Sequence, residues 1–169
     1  GLEKPTSGKV YFYDKDMYEM NKKDLTILRR EKIGIIYQFY NLIPTLNVEE
    51  NIALPLELDN RDVDHKNLKE LLELLGLENR SKHLPNELSG GQQQRVSIGR
   101  ALITNPSIIL ADEPTGNLDS KSSGEIVSLL KKSNKNYNQT IIIITHNMEI
   151  AKEADRIIKI EDGKIVKEV

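Results

Sequence analysis

The sequence predicts an α/β fold, with a mostly parallel sheet flanked by helices and an inserted helical subdomain. Three observations carry this expectation. Ile108–Ala111 and Ile141–Thr145 are short, apolar and rich in β-branched residues, the pattern of strands buried on both faces of a parallel sheet. Strands and helices alternate through the second half of the chain. From about residue 42 to 86 the pattern is helical, with no strand.

In chain order, residues 8–13 form a first candidate strand, because Val10, Tyr11, Phe12 and Tyr13 favour extended backbone. Ile33–Tyr37 is a second. Asn47 with Glu50 three residues on has the form of a capping pair that opens a helix. Leu68, Leu71, Leu72 and Leu75 make a helical stripe that stops at Gly76, a natural residue just beyond a helix end. Ser89 is placed to cap a helix running to about Thr104. Asp119 or Ser120 is placed to cap another, through Ile126, Leu129 and Leu130. Arg156–Ile160 and Lys164–Lys167 flank Asp162-Gly163, a hairpin turn signal.

Composition narrows the function. The 169 residues carry a formal net charge of −2, which gives no electrostatic case for a nucleic-acid partner. Charged residues make up 30% and hydrophobic ones 38%, as in a water-soluble globular domain. With no cysteine, disulfides, thiolate catalysis and cysteine-bound metals are excluded. The longest apolar runs fall far short of the roughly 20 residues that span a bilayer.

Five stretches carry chemistry. In Leu88-Ser89-Gly90-Gly91-Gln92 a hydroxyl and two glycines stand at a helix start, where backbone N–H groups and the helix dipole favour an anion. An ordinary Ser-capped turn is the competing reading. Ile108–Ala111 then ends in Asp112-Glu113, two carboxylates at the edge where open α/β sheets bind ligands. Asp112 is placed to hold Mg²⁺ through water, and Glu113 to polarise an attacking water. Alone, such a pair is usually a solvated loop. His146 follows the strand Ile141–Thr145 directly and can donate to a γ-phosphate or orient the water; alone, it reads as a surface histidine. Gln38, after Ile33–Tyr37, offers an amide oxygen to Mg²⁺ and reach toward the same water. Asp119 comes six residues after Glu113 in Asn117-Leu118-Asp119.

The order Gln38, Leu88–Gln92, Asp112-Glu113, Asp119, His146 resembles the ABC ATPases. In that resemblance Gln38 matches the Q-loop, Ser89, Gly90, Gly91 and Gln92 the signature, Asp112 the Walker B aspartate and Glu113 the catalytic glutamate. Asp119 matches the D-loop and His146 the switch histidine. The family implies a P-loop NTPase-like core with residues 42–91 as helical subdomain and 92–169 as the following part of the core. It implies ATP and Mg²⁺ as cofactors and two such subunits sandwiching two ATP molecules. Ser89, Gly90, Gly91, Gln92 and Asp119 would contact nucleotide, Asp112 and Gln38 would serve the metal, and Glu113, His146 and Gln38 would act in hydrolysis. An integral membrane permease subunit would be the other partner, at the cytoplasmic face of the membrane. Tyr37-Gln38-Phe39, Leu42–Leu46 and Ala111–Asp119 look most like the lipoprotein-release, macrolide-export and peptide-resistance subgroup.

The family's phosphate loop, G-x-x-x-x-G-K-[ST], is missing from these residues. Gly1–Gly8 resembles the segment just after it, so the resemblance implies that the N-terminal part of the core lies upstream. A second departure is Gly99, where the family more often has Ala; close packing against the sheet would explain it. Tyr37, Phe39 and Tyr40 can line a groove for a helix of a membrane subunit, or fill the core. Two rival classes remain open. DNA-repair members carry long coiled-coil arms between Gln38 and the signature, but only about 50 residues separate them here. A fragment that merely offers its signature and Walker B faces to a partner is the other.

Overall fold

A computed structural model describes residues 1–168. The first elements are a small hairpin, β1 (Tyr11–Phe12) with β2 (Lys15–Asp16). The strand expected over 8–13 therefore shrinks to two residues, and Tyr13 turns the chain with a positive φ of 50°. Helix α1 (Lys22–Lys32) follows, capped by Asn21, whose side chain accepts from the Asp24 N–H. No residue of α1 is fully buried; Leu25, Ile27 and Leu28 are half-buried, the rest of its surface being strongly charged. Strand β3 (Ile33–Ile36) comes next.

Helix α2 (Val48–Glu57) opens on Asn47 with a reciprocal capping box: Glu50 N–H donates to Asn47 Oδ1, and Asn47 N–H to Glu50 Oε2. Helix α3 (His65–Leu75) buries Leu68, Leu71, Leu72 and Leu75 and ends at Gly76, whose φ of 64° favours glycine. Two single 3-10 turns, at Glu78–Arg80 and Pro85–Glu87, lead to α4 (Gly90–Leu102) and β4 (Ile108–Asp112). Helix α5 (Ser120–Tyr137) is capped by Asp119 and precedes β5 (Thr140–Ile144) and the short α6 (Met148–Ala151). Strands β6 (Ile158–Glu161) and β7 (Lys164–Glu168) close an antiparallel hairpin over Asp162-Gly163, both at positive φ as the turn requires.

The central sheet is parallel, in the order β3-β4-β5. Its register aligns Ile36, Ala111 and Ile143 across the three strands, so their C-terminal ends form one rim. One face is packed by α4 and α5: Ile36, Ile109 and Ala111 share a continuous core with Val96, Ile98, Ile126 and Leu130. Helix α4 approaches so closely that a Cβ on Gly34 would lie 2.8 Å from the Ala101 carbonyl. The opposite face is open. Ile142 is 46% and Ile144 52% exposed, so β5 is buried on one face only, contrary to its apolar sequence. It alternates because, among the described residues, no element covers that side.

Gly99 has a steric cause, but not the sheet. A Cβ there would meet Leu75 Cδ1 at 2.6 Å and Ile52 Cδ1 at 3.0 Å, so the close partners are α3 and α2. Among the described residues no helix is long and apolar enough to cross a membrane.

Candidate active site

The rim of the parallel sheet gathers the residues that follow each strand. Gln38 stands two residues beyond β3, Asp112 ends β4, Glu113 follows it, and His146 stands two residues beyond β5. Adjacent strands lie about 4.8 Å apart, so the topology alone brings these side chains to one neighbourhood.

Glu113 and His146 are in direct contact. The His146 ring Nδ1 lies 2.6 Å from Glu113 Oε1, and the His146 backbone N–H donates to the same oxygen at 2.9 Å. Thr145 donates through its hydroxyl to Glu113 Oε2 at 3.3 Å. The Glu113 side chain is 19% exposed and that of His146 85%. Burial pushes the Glu113 carboxyl up, but the bonds from the His146 ring, the His146 N–H and Thr145 more than offset it and hold the group below the ordinary glutamate value. Thr145 was not singled out from sequence; a hydroxyl following four isoleucines was its only signal.

Gln38 is placed by its neighbours rather than by a bond to the carboxylates. Its side chain lies along Gly116, where an added Cβ would come 2.7 Å from Gln38 Nε2, and its carbonyl accepts from Asn117 Nδ2 at 3.1 Å. Asp112 is exposed at the strand end, paired in register with Ile144.

Ser89, Gln92 and Asp119 spend their side chains on local bonds. Ser89 Oγ accepts from the Gln92 N–H at 3.3 Å while Gln92 Oε1 accepts from the Ser89 N–H at 2.9 Å. This capping box leaves the bare backbone of Gly90 and Gly91 at the helix tip. Gly90 abuts Tyr40 and Leu118, and Gly91 abuts Ser122. Asp119 accepts from the Ser122 N–H at 3.0 Å and the Ser122 hydroxyl at 2.8 Å, bonds that lower its carboxyl's pKa. The tip of α4 thus adjoins the start of α5, whereas Glu113 and His146 form their own pair. Of the three aromatics after β3, Tyr37 and Phe39 are exposed and Tyr40 is half-buried.

Residues 1–116 match the ABC transporter family. An ABC transporter ATP-binding protein of Methanocaldococcus jannaschii, MJ1508, is 50% identical over 167 residues, covering 98% of this chain and 74% of that protein. The chain belongs to the ABC transporter family. The lipoprotein-releasing system ATP-binding protein LolD of Wigglesworthia glossinidia brevipalpis is 45% identical over 170 residues, covering 99% of this cassette and 74% of LolD. A solved dimer of the cassette MJ0796, bound to ADP and Pi in a post-hydrolysis state, superposes with a TM-score of 0.85 at 44% identity. It covers 99% of this chain and 75% of the neighbour.

The cassette has an open cavity of about 780 Å³ whose lining includes Glu113, His146 and Lys131, Lys132 and Lys135 of α5. Gln38 and Asp112 lie outside its lining. Among the described residues no group of three or more His, Asp and Glu forms an all-protein metal cage. That suits Mg²⁺, which keeps waters and phosphate oxygens and needs only one or two side-chain ligands. Asp112 and the Gln38 amide each offer an oxygen near the rim.

Proposed function

We propose that this chain is the ATP-hydrolysing subunit of a membrane transporter, with Glu113 orienting or deprotonating the attacking water. Support comes chiefly from one observation: the Glu113 carboxyl is fixed at the sheet's rim by His146 and Thr145, whose bonds hold its pKa below the ordinary glutamate value. A carboxylate so held has a fixed position among residues that follow β4 and β5, and its remaining lone pairs can accept a proton from water as a general base does.

In this reading Asp112 and Gln38 hold Mg²⁺, which when bound neutralises charge on the β- and γ-phosphate oxygens. His146 contacts the γ-phosphate. Ser89, Gly90 and Gly91, with Gln92 shaping the tip, face the nucleotide of a second subunit, and Asp119 lies beside it. Residues 42–91 act as the helical subdomain, and 92–169 continue the core. The partners are that second subunit and an integral membrane permease at the cytoplasmic face. The likeness to LolD favours conformational work on the permease, in lipoprotein release, export or peptide resistance.

Residues 1–169 alone should bind Mg-ATP weakly, because most of the grip on the phosphates comes from a G-x-x-x-x-G-K-[ST] loop they do not contain. Calorimetry showing micromolar binding would refute this. In the full-length protein, Glu113→Gln should slow hydrolysis roughly 100-fold or more while ATP binding persists. Near-normal turnover would remove Glu113 from its role.

A further inference from the structure

Between β3 and α2 the chain carries Gln38, and four backbone carbonyls around it are taken by side chains from elsewhere. Arg100, on α4, donates through Nη1 to Asn41 O at 2.7 Å and through Nη2 to Tyr40 O at 2.9 Å. Gln94, fully buried on the same helix, has its Nε2 3.4 Å from Tyr37 O. Asn117 donates to Gln38 O at 3.1 Å. At the far end, the Tyr40 hydroxyl rests on the tip of α4, 2.9 Å from where a Cβ on Gly90 would stand.

These carbonyls lie outside helix and strand, so without the three side chains they would depend on water. Arg100 is the stiffest of the three. Its planar fork delivers two charge-assisted bonds in a fixed geometry. It is half-buried and has no carboxylate partner among the described ion pairs. A guanidinium in that setting has its burial compensated by the carbonyls it holds.

We propose that Arg100 is a positioning residue for Gln38: its fork, with Gln94, holds residues 37–41 on α4, while Asn117 ties Gln38 to the loop before α5, so that the Gln38 segment keeps its place relative to the Ser89–Gly91 tip. A nucleotide that displaces the tip therefore displaces the metal-facing amide with it. The inference rests on the roles proposed above for Gln38 and the tip, but the tether itself is open to measurement without nucleotide.

The chain has no cysteine, so spin labels can be placed freely on the full-length protein provided any further segment is also free of it. Labels at Phe39→Cys and Asn86→Cys, both exposed positions, report the distance between the Gln38 segment and the approach to the tip. A single narrow distribution is expected in the parent. Arg100→Gln should widen it by about twofold, and Arg100→Lys less, since the ammonium keeps the charge and loses the fork. Arg100→Lys, which keeps the charge at a half-buried site, decides the matter if Arg100→Gln does not fold. In steady-state Mg-ATP hydrolysis, Arg100→Gln should lower kcat by about tenfold with KM within about threefold. Distributions as narrow as the parent's would overturn the tether, and widening with unchanged kcat would overturn the positioning role. A parent that hydrolyses no ATP would refute the proposed function, while the label distances would still judge the tether.

Discussion

Gly116→Ala isolates the position of one amide from the stability of the fold. The Cα of Gly116 is the floor on which the Gln38 side chain lies. An alanine Cβ would stand 2.7 Å from Gln38 Nε2, but 3.3 Å from Cδ and 3.4 Å from Cγ. Only the amide end is seriously crowded, and it must withdraw by about 0.7 Å to reach ordinary contact. Gly116 is exposed and does not need the left-handed region. The backbone therefore accepts alanine, and the stability change should stay within about 0.5 kcal/mol. The proposed work of Gln38, holding the metal and reaching the water, is sensitive to such a shift: misplacement by about 1 Å can cost roughly 100-fold in rate. We expect kcat for Mg-ATP hydrolysis in the full-length protein to fall about tenfold or more, with the denaturation midpoint unmoved. Turnover within about twofold of the parent, at unchanged stability, would show that the Gln38 amide does not sit where the reaction needs it.

Two further outcomes follow from the packing and the charges. Gly99→Ala gains about 0.8 kcal/mol of helix propensity but drives a methyl against the fully buried Leu75 and Ile52, an overpacking that costs about 1–3 kcal/mol. A net loss of about 1 kcal/mol should appear in the urea midpoint, and a more stable variant would contradict the contact distances. Glu113 has a depressed folded-state pKa, so its contribution to stability is present above the unfolded value and lost as pH falls through the folded one. The stability difference between the parent and Glu113→Gln should therefore shrink below about pH 4.3; a difference constant from about pH 6 to about pH 3 would refute it.

The sheet strands and most helix starts were legible because each is written locally. Asn47 with Glu50, the Leu68–Leu75 stripe with Gly76, and Ser89 before two glycines encode caps and faces within a few residues. The rim was legible for the same reason, since parallel strands place whatever follows them at one edge. Helix α1 was not, because its three apolar residues, Leu25, Ile27 and Leu28, fill little more than one turn of a strongly charged segment. The exposure of Ile142 and Ile144 was hidden too: composition tells a strand from a loop, but which faces are covered depends on what packs there. The grip of Arg100 and Gln94 on residues 37–41 joins positions about 60 apart in sequence, and no local pattern announces it.

The chain's path at Glu113 explains how neighbouring carboxylates come to serve one rim. In regular strand, Asp112 and Glu113 would point to opposite faces. Asp112 keeps its place in the ladder opposite Ile144. Glu113 leaves the strand at φ 42°, a left-handed conformation that costs an L-residue roughly 1–2 kcal/mol. Its N–H still donates to the Ile144 carbonyl at 2.9 Å, and its carboxylate accepts from the His146 backbone and the Thr145 hydroxyl, with the His146 ring alongside. Strain of this size persists only where surrounding bonds over-determine it. Glycine at 113 would relieve the backbone but surrender the carboxylate. Glutamine keeps an oxygen for His146 and turns its amide to Thr145, whose hydroxyl can accept, so it preserves the turn and removes only the charge. A loss of hydrolysis in Glu113→Gln with the fold intact would therefore assign the chemistry to the charge itself and not to the shape that presents it.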